Sequence, residues 1–211
     1  MKCKICSTKT KHFEDDELKK TFFHCSCCEL IFLDKKSFVT AQNEKKQYDQ
    51  HNNSLENEGY VKMFDDFLDF SLEGVHVKTV LDFGSGPTPV LAELLKQRGF
   101  LVDYFDKFYQ PKKIYENKSY DLITTTEVFE HLENPKEVLN TLTKHLNPDG
   151  IISLMTLFHT NKQEDFLKWW YRRDPTHITF FTPKSIEFMA SECGLKVLKT
   201  DNKRVIILQK K

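Results

Sequence analysis

The chain has 211 residues, 39% of them hydrophobic, and its 31 Lys and Arg are balanced by 31 Asp and Glu for a net charge of zero. That length suits one larger domain plus a small appendage, and the apolar fraction excludes a disordered chain. An even charge balance lacks the basic footprint that nucleic-acid binding needs, so a nucleic-acid partner is possible but not favoured. No apolar run is long enough to span a bilayer, and no secretory signal, repeat or low-complexity tract is visible; the chain reads as cytoplasmic, with no membrane partner. Its oligomeric state is not legible.

The first chemical constellation is Cys3-Lys-Ile-Cys6 with Cys25-Ser-Cys-Cys28, two Cys-x-x-Cys pairs with Phe22, Phe23, Leu30 and Phe32 flanking the second. This is zinc-ribbon spacing: each pair makes a knuckle, and two knuckles close a tetrahedral site. Four thiolates predict a structural Zn²⁺ and not a catalytic one, stapling a segment too short for a core of its own. Without a secretory signal, disulfides explain six cysteines less well. Cys27 is then a spare thiol and Cys193 a core residue, while His12 and His24 are set aside as ligands by the regular cysteine pairing. Lys9, Lys11, Lys19 and Lys20 are interleaved with Glu14, Asp15, Asp16 and Glu17, leaving no basic face. Residues 1–47 are assigned to the ribbon and 48–211 to the larger domain.

A polar run from Tyr48 to Tyr60 leads into Val61 to Leu72, where Phe64, Phe67, Leu68 and Leu72 form a helical apolar stripe. Thr79 to Gly86 reads as a buried strand running into Gly84 and Gly86, followed by a helix carrying Leu91, Leu94 and Leu95. The two glycines permit positive φ and close backbone approach, with amides offered to a ligand near the helix start. A second strand, Leu101 to Phe105, ends at Asp106, where a doubly wound sheet places an acid against ribose hydroxyls. Lys107 to Ser119 has room only for a short extended piece such as Lys113 to Tyr115, and Phe108 or Tyr109 is a candidate to stack on a base. A third strand, Tyr120 to Thr126, runs into Glu127-Val-Phe-Glu-His131 and a helix with Pro135 near its start. Asn147-Pro-Asp-Gly150 predicts a turn into a fourth strand, Ile151 to Leu157. Leu195 to Leu198 and Val205 to Leu208 predict a closing hairpin. The rhythm defines an α/β fold with a doubly wound, mostly parallel sheet, and ligands at the carboxyl ends of its strands.

Trp169-Trp-Tyr-Arg-Arg-Asp-Pro-Thr-His177 sits where such sheets insert substrate elements, and its aromatics and charges suit a compact polar or anionic ligand. His177 is the first candidate for a general base, since imidazole titrates near neutrality; the alternative is a structural His that anchors the loop. Arg172 and Arg173 either clamp an acidic acceptor or pair with Asp174. His131 either contacts the acceptor or packs at a helix start. No carboxylate and His cluster is visible outside the ribbon, so no catalytic metal is expected.

The runs Leu81-Asp-Phe-Gly-Ser-Gly86, Tyr120-Asp-Leu-Ile-Thr-Thr-Thr-Glu-Val-Phe-Glu-His131 and Leu146-Asn-Pro-Asp-Gly-Ile151 resemble, in order, the motifs of class I S-adenosylmethionine-dependent methyltransferases, here with an N-terminal zinc ribbon. The resemblance implies a Rossmann-like methyltransferase sheet that binds S-adenosyl-L-methionine. Asp82, Phe83, Gly84, Ser85 and Gly86 would lie at its methionine end, Asp106 and Lys107 at the ribose, and Thr126 and Glu127 at the sulfonium side. The polar run resembles a leader that folds over the cofactor in zinc-ribbon members, which adds His51, Asn52, Asn53 and Tyr60 to the site; the alternative is a solvated linker. His177, His131 and Arg172 are the catalytic candidates. The implied reaction is methyl transfer to a small-molecule acceptor, polar or anionic, metabolite or sugar-like. An RNA or protein methyltransferase guided by the ribbon, and a non-catalytic cofactor- or partner-binding module, are the alternatives.

Overall fold

A computed structural model describes residues 1–50 and 54–211. His51, Asn52 and Asn53 lie outside the described residues. An antiparallel meander of β1 (Lys11–Asp15), β2 (Lys20–His24) and β3 (Ile31–Leu33) is followed by α1 (Ala41–Tyr48) and α2 (Glu58–Leu72). Then come β4 (Thr79–Phe83), α3 (Val90–Gln97), β5 (Leu101–Phe105), β6 (Tyr120–Thr126), α4 (Pro135–Lys144) and β7 (Leu146–Met155). The chain ends with α5 (Gln163–Lys168), β8 (Thr179–Phe180), α6 (Pro183–Glu192), β9 (Leu195–Thr200) and β10 (Val205–Lys210). The main sheet has the order β5-β4-β6-β7-β10-β9. Strands β5, β4, β6 and β7 run parallel, and β10 is antiparallel to both its neighbours, as the predicted closing hairpin requires.

The pleat explains the two cores. Val80, Leu122 and Ile151 point to one face and pack with Phe64, Phe67 and Leu68 of α2 and Leu91 and Leu95 of α3. Their neighbours Leu81, Ile123 and Ile152 point to the other, against Leu139 and Leu142 of α4 and Ile186 and Met189 of α6. Strands buried on both faces read as continuous apolar runs, which is why they stood out in the sequence.

Two local expectations are corrected. Asn147 to Gly150 is not a turn before the fourth strand but part of β7, which begins at Leu146. Opposite it the register slips: Tyr120 pairs with Leu146, and Leu122 with Ile151. The extra residues are absorbed as a bulge with Asp149 at φ 59°. At Gly150 a Cβ would meet the Asn147 carbonyl at 2.9 Å and the Tyr120 carbonyl at 3.0 Å. Residues 114–117 form a turn where an extended piece was expected, because Tyr115 folds inward onto Phe105 and Phe83, 5.2 and 5.9 Å away between ring centroids.

The ribbon is fused to the larger unit. Strand β8, from the far end of the chain, pairs with β3 (Ile31 with Phe180, Phe32 with Thr179) to complete the sheet β1-β2-β3-β8. Ile5, Leu30 and Phe32 join the main core, while Phe13, Phe22, Ile31 and Leu33 pack on Phe166, Tyr171 and Phe180. Burial of side chains such as Phe22 and Phe32 stabilises by about 1.5–3 kcal/mol each. An ion-pair cluster adds to the seam: Arg172 Nε lies 2.9 Å from Asp15 Oδ2 and its Nη2 2.7 Å from Glu17 Oε2.

Candidate active site

The carboxyl ends of β4, β5 and β6 open into a cavity of about 400 Å³. Its floor is the loop after β4. Gly84 has φ 91°, and a Cβ there would sit 2.2 Å from Val128 Cγ2, so the loop can pass under the start of the next motif only as glycine. The loop amides are not offered to a ligand, contrary to the sequence reading. Gly84 and Ser85 donate to the Phe105 carbonyl at 2.8 and 3.1 Å, and Gly86 donates to Asp106 Oδ2 at 3.0 Å. The reason is strand order: β5 lies beside β4, so its end ties the loop shut. Asp106 Oδ1 also accepts from the amides of Phe108 and Tyr109, which fixes its carboxylate at the cavity wall.

Asp82 and Ser85 line the same cavity, and their Oδ2 and Oγ atoms are buried without a hydrogen-bond partner among the described residues. The other oxygen of Asp82 accepts from the Thr124 hydroxyl at 3.1 Å. Burial first, and the nearby Asp106 charge, push the Asp82 carboxyl up to about 7, against the help of Thr124. A buried acid with an orphaned oxygen suits a ligand that brings a cationic donor. Phe83 lines the cavity, stacked on Phe105 at 5.1 Å, and Lys107 at the rim is held by Glu44 at 2.7 Å. Phe108 and Tyr109 do not line the cavity; Phe108 packs on Tyr48, and Tyr109 donates to Asp49 at 2.6 Å, latching the end of α1 over the loop after β5.

The opposite wall is built by the end of β6 and the segment before β8. Thr126, Glu127, His131 and His177 all line the cavity. His131 Nδ1 is 3.1 Å from the Thr176 carbonyl, and His177 Nδ1 is 2.8 Å from the Tyr171 carbonyl. A carbonyl only accepts, so each Nδ1 carries a proton. The ring centroids are 4.8 Å apart. Burial, then the neighbouring His177, lowers the His131 pKa to about 3, so this imidazole is neutral at physiological pH. Behind the pair, the Tyr171 hydroxyl lies 2.6 Å from Glu130 Oε1 and 3.1 Å from Glu127 Oε2. Burial pushes both carboxyls up, Glu130 well above the usual range with the Glu127 charge adding to it.

Ligand atoms of Glu130, His131 and His177 all lie within 4.8 Å of one another. The expectation that no carboxylate and His cluster exists outside the ribbon is therefore corrected. Glu127-Val-Phe-Glu-His131 was visible as a signal, but only the fold brings His177 to it. Arg172, read as a catalytic acceptor clamp, does not line the cavity; its guanidinium is buried against Asp15 and Glu17, not Asp174. Arg173 likewise reaches Glu17 at 3.0 Å. Asp174 instead accepts from the Thr176 amide at 2.8 Å, shaping the turn that presents His177.

The four predicted cysteines converge. Their sulfurs lie within 4.8 Å of one another, with Cys3 to Cys28 at 3.5 Å and Cys6 to Cys25 at 3.4 Å. Zn–S bonds of about 2.3 Å put the corners of a tetrahedron about 3.8 Å apart, so the donor set fits zinc in number, type and spacing. His24 is turned away, with Nε2 2.8 Å from Asn161 Oδ1.

Fold and cavity together define a doubly wound α/β domain that takes its ligand at the carboxyl edge of the sheet. Residues 41–200 match the family described as a methyltransferase domain, and the chain belongs to that family. Similar curated proteins include the ubiquinone biosynthesis O-methyltransferase of Rickettsia canadensis, 26% identical over 110 residues, 48% of this chain and 46% of that protein. The protein of the same name from Photobacterium profundum is 26% identical over 134 residues, 60% of this chain and 57% of that protein. The chain spans about half the length of the curated relatives it matches. Among solved structures, 1,6-didemethyltoxoflavin-N1-methyltransferase from Burkholderia thailandensis aligns with TM-score 0.57 at 12% identity, covering 96% of this chain and 99% of that one. Magnesium protoporphyrin IX methyltransferase from Synechocystis aligns with TM-score 0.55 at 14% identity, covering 84% and 98%. At these identities the structures establish the fold. No helix among the described residues is long and apolar enough to cross a membrane.

Proposed function

We propose that the chain transfers the methyl group of S-adenosylmethionine to an oxygen of a small hydroxylic acceptor. The observation that carries this reading is that one cavity joins the Asp82, Gly84 and Ser85 cradle to the His131 and His177 wall. Asp82 and Ser85 have the unpartnered oxygens to receive the ligand's ammonium, and Asp106 stands one strand away for the ribose. The bound sulfonium supplies an electrophilic methyl: the acceptor oxygen bonds to it as the carbon–sulfur bond breaks, releasing S-adenosylhomocysteine. The protein's part is to align the acceptor, exclude water and take up, at His177, the proton that its hydroxyl gives up as the methyl group is transferred. The two O-methyltransferase relatives support oxygen as the acceptor atom. With Arg172 and Arg173 engaged by the ribbon's acids, a neutral polar acceptor fits the cavity better than an anionic one. The four cysteines hold a structural Zn²⁺ that braces the seam behind His177.

Calorimetric titration of the zinc-loaded protein with S-adenosylhomocysteine, with Asp106→Ala as control, tests the reading. Binding that is lost in Asp106→Ala supports the cofactor site and justifies screening phenolic and sugar hydroxyls with labelled S-adenosylmethionine. Absence of binding by the folded wild-type protein refutes it.

A further inference from the structure

We propose that the hydroxyl of Tyr60, in the first turn of α2, is the hydrogen-bond donor that holds the carboxylate of the cofactor's amino-acid end; the inference rests on the methyl-transfer reading and specifies how that ligand is recognised. The amino-acid end of S-adenosylmethionine carries an ammonium and a carboxylate. Asp82 and Ser85 offer acceptors for the first, but the loop after β4 leaves no donor for the second. The amides of Gly84 and Ser85 are taken by the Phe105 carbonyl, that of Gly86 by Asp106, and Pro87 has none. Lys107 is the only Lys or Arg that lines the cavity among the described residues; it follows Asp106 after the end of β5 and is held by Glu44 at 2.7 Å. The Tyr48 hydroxyl donates to the same Glu44 at 2.8 Å, and Nδ1 of His131 and of His177 donates to a backbone carbonyl. Thr126 stands at the end of β6, in the opposite wall.

Tyr60 is left, and its surroundings fit the task. It lines the same cavity as Asp82. Its amide donates at 3.1 Å to Oδ1 of Asn57, the residue that caps α2, and its ring stands edge-on to Phe64 with 4.6 Å between centroids. Phe64 is itself buried, packed with Phe67, Leu68 and Val80 of β4. The phenol is therefore carried by a rigid element, and its hydroxyl makes no hydrogen bond to another described residue. Burial first, then the charges of Asp82 and Glu127, raise its pKa, which keeps the proton on the oxygen and places the hydroxyl within electrostatic reach of both acids. A neutral donor suits this position. A Lys or Arg beside Asp82 would pair with it and displace the ligand's ammonium, whereas a phenol serves the carboxylate and leaves Asp82 free.

The test is calorimetric titration of the zinc-loaded wild type and of Tyr60→Phe with S-adenosylhomocysteine and with its decarboxylated analogue, which keeps the adenosine, the sulfur and the ammonium. Tyr60→Phe preserves the packing on Phe64, so its thermal melt should match that of wild type. It should bind S-adenosylhomocysteine about 10–100-fold more weakly, as expected for a lost hydrogen bond to a charged group, and the decarboxylated analogue as tightly as wild type does. Equal binding of S-adenosylhomocysteine by the two proteins overturns the assignment and leaves the methyl-transfer reading standing. So does an equal loss for both ligands, which would place the hydroxyl on the ammonium or in the service of the fold. Absence of S-adenosylhomocysteine binding by the folded wild type overturns the reading and the assignment together.

Discussion

With Asp82 assigned to the cofactor's ammonium, as proposed above, cofactor affinity should depend on pH in one direction. Burial raises the Asp82 carboxyl from 3.8 to about 7, so between those values the free protein holds a proton there that the unfolded chain has already released. An ammonium group beside Asp82 requires the carboxylate, and ligand binding below pH 7 must therefore expel that proton. At pH 6 about one molecule in eleven is ionised, which weakens binding about tenfold, or about 1.4 kcal/mol; at pH 5 the loss is about a hundredfold. Calorimetry with S-adenosylhomocysteine at pH 5, 6, 7 and 7.5, in buffers of different ionisation enthalpy, reads both affinity and proton release. Close to one proton should leave per ligand at pH 6. The same shift makes apo stability fall as pH rises from about 4 to about 7, by an amount on the order of 4 kcal/mol. Asp82→Asn should abolish both effects, weaken binding at pH 7.5 by about 1.5–3 kcal/mol for the lost charged hydrogen bond, and stabilise the apo protein. A wild-type affinity that is flat from pH 5 to 7.5 would refute the assignment of Asp82 to the ammonium.

Three further outcomes follow from the geometry. Gly84→Ala should destabilise by roughly 1–3 kcal/mol in thermal melts, because it combines φ 91° with a 2.2 Å clash on Val128, and Val128→Ala should restore part of the loss. Arg172→Met should lower stability by about 3–5 kcal/mol, visible as a melting point lower by roughly 10 °C, because it takes the guanidinium from the buried Asp15 Oδ2; retention of full stability would show that the seam does not depend on this pair. His177→Ala should reduce kcat about 10²–10⁴-fold once an acceptor is found, with S-adenosylhomocysteine affinity near wild type; an unchanged kcat would remove His177 from the acceptor wall.

Which features were legible in the sequence follows from how far apart their determinants lie. The strand, glycine loop and helix around Thr79 to Gln97 could be read because every signal is local: apolar residues for a strand buried on both faces, then glycines, then helical spacing. The cysteine pairs were legible for the same reason, since each knuckle is four residues long. Asn147 to Gly150 misled because Asn-Pro-Asp-Gly is ordinary turn chemistry, and only the pairing of Tyr120 with Leu146 reveals it as a bulge inside β7. The loop amides misled because what satisfies them, the Phe105 carbonyl and Asp106, belongs to a neighbouring strand chosen by topology.

The His131 and His177 wall is the extreme case of this non-locality, because its placement depends on the ribbon. Tyr171, which contacts Glu127 and Glu130 and accepts from His177, immediately precedes Arg172, which is anchored to Asp15 and Glu17. Phe180 follows His177 closely and pairs with Ile31 of the ribbon sheet. The segment carrying Tyr171 and His177 is thus held at both ends by the ribbon. The segment between Trp169 and His177 contains only a short 3-10 turn, Trp170–Arg173, too little hydrogen-bonded structure to position an imidazole by itself. The ribbon supplies the rigidity that this segment lacks. Arg172 therefore serves the segment by holding its neighbour in place, a role that its position in the sequence could not distinguish from direct contact with an acceptor.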